Sequence, residues 1–108
     1  MSTLSTHVLD LERGVPAVGV SVGLSQAGRE LARARTGADG RVAELGGSLL
    51  VEGAYVLTFD IAGYFASQNR PAPFLRRVSI EFQLQPNDSH YHVPLLVSPF
   101  ACTSYRGS

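Results

Sequence analysis

The sequence predicts an all-β protein, an antiparallel β-sandwich with one short helix. Apolar residues recur at every second position in several segments, which is the period of a half-buried strand. Clusters of Gly, Pro, Asn and Asp separate these segments and are typical of turns. At 108 residues the chain is long enough for one hydrophobic core and too short for two, so we expect a single domain over residues 1–108.

The clearest strand pattern is VSIEFQL at residues 78–84, where four apolar residues alternate with Ser79, Glu81 and Gln83. Residues 19–25, GVSVGLS, repeat this period, and residues 49–61, LLVEGAYVLTFDI, form a longer run rich in Val, Leu and aromatic residues. Turn signals between the runs leave room for seven or eight short strands. The one candidate helix is AGYFASQN, residues 62–69, because Arg70 precedes Pro71 and a pre-proline residue disfavours helical geometry.

Composition excludes several classes of function. Nine Lys+Arg balance nine Asp+Glu, so no basic field would attract nucleic acid or an anionic membrane. The single cysteine, Cys102, has no partner for an intramolecular disulfide, and we interpret it as a small buried apolar residue. The N-terminal residues show no basic segment followed by an apolar run, and we expect a cytoplasmic, soluble protein.

Strand alternation places the three histidines outside the core. In HYHVPLLV, residues 90–97, Tyr91 and Val93 belong to the inward set, so His90 and His92 point to the other face. The same rule turns His7 outward in STHVLDL, residues 5–11. Apolar residues share that outer face with the histidines, and such a mixed surface is expected to be covered, most simply by self-association; these residues are Leu9, Pro94 and Leu96.

Pattern alone leaves the role of these histidines open. They fit ordinary surface residues, and His7, His90 and His92 would also fit a three-histidine zinc site. Arg41, directly after the Asp39-Gly40 turn, is a solvated charge or a loop-end functional residue. No nucleophile elbow, phosphate-binding glycine loop or HExxH motif is present, which argues against a serine hydrolase, a nucleotide-binding protein or a zincin.

Three separated blocks carry a family resemblance. They are LSTHVLDLERGVPAVGV at residues 4–20, TGADGRV at residues 36–42, and HYHVPLLVSPFACTSYRGS at residues 90–108, which closes on YRGS. Over nearly its full length the chain resembles the transthyretin-like 5-hydroxyisourate hydrolases. The resemblance implies a transthyretin-like sandwich of two four-stranded sheets, assembled as a homotetramer in which the outer sheets of two dimers face each other across a channel that holds the active sites.

The resemblance also implies an activity, the hydrolysis of 5-hydroxyisourate to 2-oxo-4-hydroxy-4-carboxy-5-ureidoimidazoline in urate catabolism, with no metal or organic cofactor. The family's catalytic groups fall on His7, Arg41, His92 and Ser108, and its substrate-binding groups on His7, Arg41 and Tyr105. One histidine would activate water and Arg41 would stabilise the oxyanion. Which histidine is the base and which the acid stays open.

The resemblance gives His90 a structural or supporting role, since the catalytic imidazole corresponds to the second histidine of HYH. The chain departs from the family where Cys102 replaces a common tyrosine, where Thr103-Ser104 replaces a Ser-Thr pair, and at Ser89, which is often acidic. These departures concern fine positioning rather than the chemistry. A rival function is the binding of a small aromatic ligand in the tetramer channel without reaction.

Overall fold

The computed structural model describes residues 2–47 and 50–107, and within these ranges the chain forms nine strands and one helix. The strands are β1 (Thr3–Asp10), β2 (Val15–Pro16), β3 (Ser21–Gln26), β4 (Arg29–Arg35), β5 (Arg41–Val42), β6 (Gly53–Asp60), β7 (Arg77–Leu84), β8 (His90–Val97) and β9 (Cys102–Ser104). The helix α1 spans Ile61–Ser67. No helix in the described part of the chain is long and apolar enough to cross a membrane.

The strands form two sheets, which confirms the predicted sandwich. One has the order β2-β1-β8-β9, with β5 also paired to β1, and the other has the order β4-β3-β6-β7. The first sheet differs from the expected four strands because two short strands, β2 and β5, share the edge of β1 that faces away from β8. It also contains one parallel pair, β1 with β8, among otherwise antiparallel neighbours.

The core lies between the sheets and follows the alternation in the sequence. Along β1 every second side chain is buried, from Leu4 to Asp10, and the intervening ones are half-buried. Tyr91, Val93 and Leu95 are buried from β8, as their spacing predicts. The largest fully buried side chains include Tyr55, Phe59, Phe65, Leu24 and Leu57.

Helix α1 begins one residue earlier and ends two residues earlier than the sequence predicts. Asp60 caps it, and its Oδ1 accepts a hydrogen bond from the main-chain N–H of Gly63 at 3.0 Å. The chain leaves helical geometry before the pre-proline position, because Asn69 adopts a left-handed conformation with φ 54°. Arg70 then returns to β1 and donates to the buried carboxylate of Asp10 at 2.6 Å.

The interpretation of Cys102 as a buried residue is wrong, because the thiol is exposed. Cys102 begins β9, the last strand of its sheet, and pairs only with Val97 of β8. A residue at the end of an edge strand has no neighbouring strand on its outer side to cover it.

Candidate active site

The predicted site residues of β1 and β8 lie on one outer face of the first sheet. The parallel register pairs Thr3 with His90 and Ser5 with His92, and His7 follows two residues further along β1. Because side chains two apart on a strand share a face, all five side chains lie on the same surface. His7 and His92 are half-buried and His90 is exposed.

Arg41 joins this face through the short strand β5, which pairs it directly with His7. The turn before it is built for close approach, since Oδ1 of Asp39 accepts from the N–H of Arg41 at 3.0 Å. Gly40 adopts φ +77°, and a Cβ there would lie 2.7 Å from the carbonyl oxygen of Val8 and 3.2 Å from Cδ2 of His7. The glycine of the DGR motif therefore lets the main chain before Arg41 pass close to β1 beside the His7 ring.

Hydrogen bonds fix the ring of His92 from one side. Ser5 Oγ lies 2.8 Å from Nδ1 of His92 and 3.0 Å from Nε2 of His90, while Thr3 Oγ1 lies 2.5 Å from Nδ1 of His90. Because Nδ1 of His92 is engaged, Nε2 is the nitrogen left for water or a substrate. Neither Ser5 nor Thr3 was expected to take part in the site, although alternation already places them on this face.

The electrostatics of the face favour a neutral imidazole. Burial lowers the pKa of His92, and the positive charges of Arg41, His7 and His90 lower it further. An unprotonated imidazole is the form that accepts a proton from water. His92 is therefore suited to act as a base, and the same environment disfavours a lasting positive charge on its ring.

The C-terminal segment runs back along β8 and ends beside His92. β9 pairs antiparallel with β8, and Gly107 forms a further bridge to His92, whose carbonyl oxygen accepts from the N–H of Gly107 at 2.6 Å. A Cβ at Gly107 would lie 2.6 Å from Cδ2 of the His92 ring. Only a residue without a side chain fits between this backbone and the ring.

The remaining two predicted site residues are Tyr105 and Ser108. Tyr105 is 57% exposed and lines a cavity of about 290 Å³ at the open edge of the sandwich, with Tyr91 and Val93 among its neighbours. Those two residues point into the core, so Tyr105 has a different set of neighbours from His92. Ser108 lies outside the described residues.

A zinc site formed by His7, His90 and His92 is not supported by the geometry. Within residues 2–47 and 50–107, no group of three His, Cys, Asp or Glu side chains is arranged to hold a metal ion. Instead, the hydroxyl of Ser5 lies between the rings of His90 and His92. The His92 ring therefore has one nitrogen committed to a hydrogen bond, and the His90 ring has both.

Comparisons with known proteins agree with this fold. A family model described as "HIUase/Transthyretin family" matches residues 4–107. A 5-hydroxyisourate hydrolase of Caulobacter vibrioides is 45% identical over the full length of both chains.

Among solved structures, the 5-hydroxyisourate hydrolase of Klebsiella pneumoniae superposes with a TM-score of 0.92 at 42% identity, covering both chains completely. Sea bream transthyretin in complex with thyroxine superposes with a TM-score of 0.88 at 29% identity, covering 96% of this chain and 93% of that one. This chain belongs to the HIUase/transthyretin family.

Proposed function

We propose that this protein is a 5-hydroxyisourate hydrolase that opens the substrate ring to give 2-oxo-4-hydroxy-4-carboxy-5-ureidoimidazoline in urate catabolism. The observation that carries the proposal is the meeting of His7, Arg41 and His92 on one face of the first sheet. The relatives named 5-hydroxyisourate hydrolase, matched over their full length, support the same substrate. We propose that residues 1–108 act as one domain and need no metal or organic cofactor.

In the proposed mechanism a water molecule attacks the carbonyl carbon of the N1–C6 amide-like bond. His92 is our candidate for the base, because its lowered pKa keeps it neutral and its Nε2 is free of the Ser5 hydrogen bond. His7 would then orient the water or protonate the leaving nitrogen. General acid and base groups of this kind typically contribute about 100- to 10,000-fold each.

Arg41 is the candidate for oxyanion stabilisation. The carbonyl oxygen gains negative charge as water adds, so a fixed guanidinium stabilises the transition state more than the ground state. The side chain of Arg41 is exposed, and it forms no ion pair with the described residues. Its charge therefore remains available for a substrate. Ser108 would bind the carbonyl and amide edges of the flat heterocycle, and Tyr105 would join it by turning from the cavity that it lines towards the face of His92.

We further propose that the active chain is a homotetramer, a dimer of dimers, in the cytoplasm. Support for assembly comes from the half-buried apolar residues Leu9 and Leu96, which lie on the same outer face as the half-buried His92. In a tetramer the outer sheets of two dimers would enclose this face and exclude bulk water, which strengthens the electrostatic interactions of the site. Sedimentation velocity would test the assembly, and a monomer at working concentrations would contradict it.

The experiment that tests the function is ultraviolet monitoring of freshly generated 5-hydroxyisourate with and without the protein, in the presence of a chelator. We expect rapid decay with the wild-type protein and near-spontaneous decay with His92→Asn. Decay of the substrate at the spontaneous rate with the wild-type protein would contradict the proposal. That result would instead favour binding of a small aromatic ligand, the alternative for which the thyroxine complex of sea bream transthyretin is the precedent.

A further inference from the structure

We infer that Ser5 and His90 form a proton relay behind His92, in which His90 is the group that finally holds the proton taken from water. This inference deepens the proposed hydrolysis and rests on it. It assigns a chemical task to a serine and to the histidine that the family resemblance leaves in a supporting role.

The relay is a continuous chain of hydrogen bonds across two parallel strands. It runs from His92 Nδ1 to Ser5 Oγ (2.8 Å), from Ser5 Oγ to His90 Nε2 (3.0 Å) and from His90 Nδ1 to Thr3 Oγ1 (2.5 Å). The strand register produces this chain, because Ser5 pairs with His92 while Thr3 pairs with His90. His90 and His92 lie two residues apart on β8, and the hydroxyl of Ser5 therefore lies between their rings.

A hydroxyl can donate only one hydrogen, so the chain has two directions. In the first, His92 Nδ1–H donates to Ser5, Ser5 donates to His90 Nε2, and His90 Nδ1–H donates to Thr3. In the second, every proton points the other way and His92 carries its proton on Nε2. The first direction leaves Nε2 of His92 with a free lone pair, as a base requires, and it leaves the hydroxyl hydrogen of Thr3 free for the carbonyl oxygen of Ser89, 3.4 Å away.

The proton movements balance along the chain. His92 Nε2 takes a proton from the attacking water, His92 Nδ1 gives its proton to Ser5 Oγ, and Ser5 gives its own proton to His90 Nε2. His90 becomes the imidazolium, and its Nδ1–H stays hydrogen-bonded to Thr3 Oγ1. The hydroxide formed from the water adds to the carbonyl carbon. The reverse sequence returns the proton to Nε2 of His92, from where it passes to the leaving nitrogen.

Electrostatics give the relay its purpose. His92 is half-buried beside the positive Arg41, so an imidazolium there is disfavoured. His90 is exposed in the single chain and lies two residues further along β8 from the Arg41–His7 pair than His92 does, so a positive charge on its ring is repelled less by Arg41. Arg106 donates to the carbonyl oxygen of His90 at 3.3 Å, but its guanidinium also lies 3.6 Å from the carboxylate of Asp88, which offsets its charge. Moving the proton through Ser5 therefore carries positive charge along β8 and away from Arg41.

The first test needs no substrate. Nitrogen-15 NMR of ring-labelled histidine reports which nitrogen of neutral His92 carries the proton. We expect the Nδ1–H form in the wild-type protein and a shift towards the Nε2–H form in Ser5→Ala, with Ser79→Ala, an exposed serine of the other sheet, as the matched control. The Nε2–H form in the wild-type protein, or an unchanged ring in Ser5→Ala, would overturn the inference even if the protein hydrolyses 5-hydroxyisourate.

The second test separates a relay from simple orientation of the ring. Ser5→Ala should lower kcat at least about tenfold, less than the roughly 100- to 10,000-fold that loss of the whole general base would cost, with little change in KM. Ser5→Thr should restore most of kcat. His90→Asn keeps a side-chain oxygen that can accept from Ser5 but cannot hold the proton, and it should also lower kcat. Full kcat in His90→Asn would overturn the relay. Absence of turnover in the wild-type protein would instead refute the proposed function, and the NMR test would then decide the hydrogen-bond arrangement alone.

Discussion

The close approach of Gly107 to His92 gives a sharp mutational prediction. An alanine at position 107 would place its methyl carbon 2.6 Å from Cδ2 of the His92 ring, whereas carbon atoms in contact are usually about 3.5–4.0 Å apart. The ring or the C-terminal segment must therefore move by roughly 1 Å. Gly107 is not in the left-handed region, so the effect is steric rather than conformational. Because a misplacement of about 1 Å in a catalytic group can lower the rate about 100-fold, we expect a loss of that size in kcat, equivalent to about 2.7 kcal/mol.

The assay is the ultraviolet decay of 5-hydroxyisourate, with thermal unfolding measured on the same samples. Gly23→Ala is the matched control, because the atoms nearest to its methyl group would be the flexible ends of Glu30 and Arg33 on the other sheet. We expect the control to keep full turnover and Gly107→Ala to lose turnover while its melting temperature changes little. Full activity in Gly107→Ala would refute the argument that the chain end positions His92.

Three further predictions concern charge. Arg41→Lys should lose most turnover with the quaternary structure intact, since lysine lacks the bidentate fork, and kcat of the purified variant checks this. Arg70→Met should lower the free energy of unfolding, measured in urea, by about 3–5 kcal/mol, because it removes the ion-pair partner of the buried Asp10. Glu12→Gln is the control: the side chain of Glu12 is 50% exposed, so the free energy of unfolding should change by less than about 1 kcal/mol. An NMR titration should find the pKa of His92 below about 6.5, because burial and the charge of Arg41 lower it. On acidification the unfolded chain binds a proton at His92 before the folded protein does, so the free energy of unfolding falls as the pH drops through about 6.5 towards the pKa of folded His92. A His92 titration midpoint above about 6.5 would contradict the expectation for this pKa. Equal losses of unfolding free energy in Arg70→Met and Glu12→Gln would contradict the expectation for the ion pair.

Much of this architecture could be predicted from local pattern. The period-two alternation of HYHVPLLV correctly turned His90 and His92 away from the core, and the same rule turned His7 outward. The Asp39-Gly40 turn before Arg41 was also recognisable, although local pattern left Arg41 as a solvated charge or a loop-end functional residue and only the family resemblance placed it in the site. These features depend on residues close together in the sequence, where the geometry of a strand or a turn decides which way a side chain points.

Features that depend on partners distant in the sequence could not be predicted in this way. The parallel register of β1 and β8 joins residues more than 80 positions apart, so nothing local indicates that Ser5 lies between two histidines. β4 escaped recognition because its inward side chains, Ala32 and Ala34, are small and give little apolar signal between arginines. The burial of Cys102 was misjudged because its exposure depends on β9 being an edge strand.

In the proposed reaction, the face of His7, Arg41 and His92 adds water to a carbonyl carbon of 5-hydroxyisourate. The most direct measurement is mass spectrometry of the product formed in water enriched in oxygen-18, at several protein concentrations. We predict a ring-opened product that carries one oxygen-18 atom in its new carboxylate, formed at a rate proportional to the protein and abolished in His92→Asn. A labelled product that forms at the spontaneous rate, whatever the protein concentration, would contradict the account.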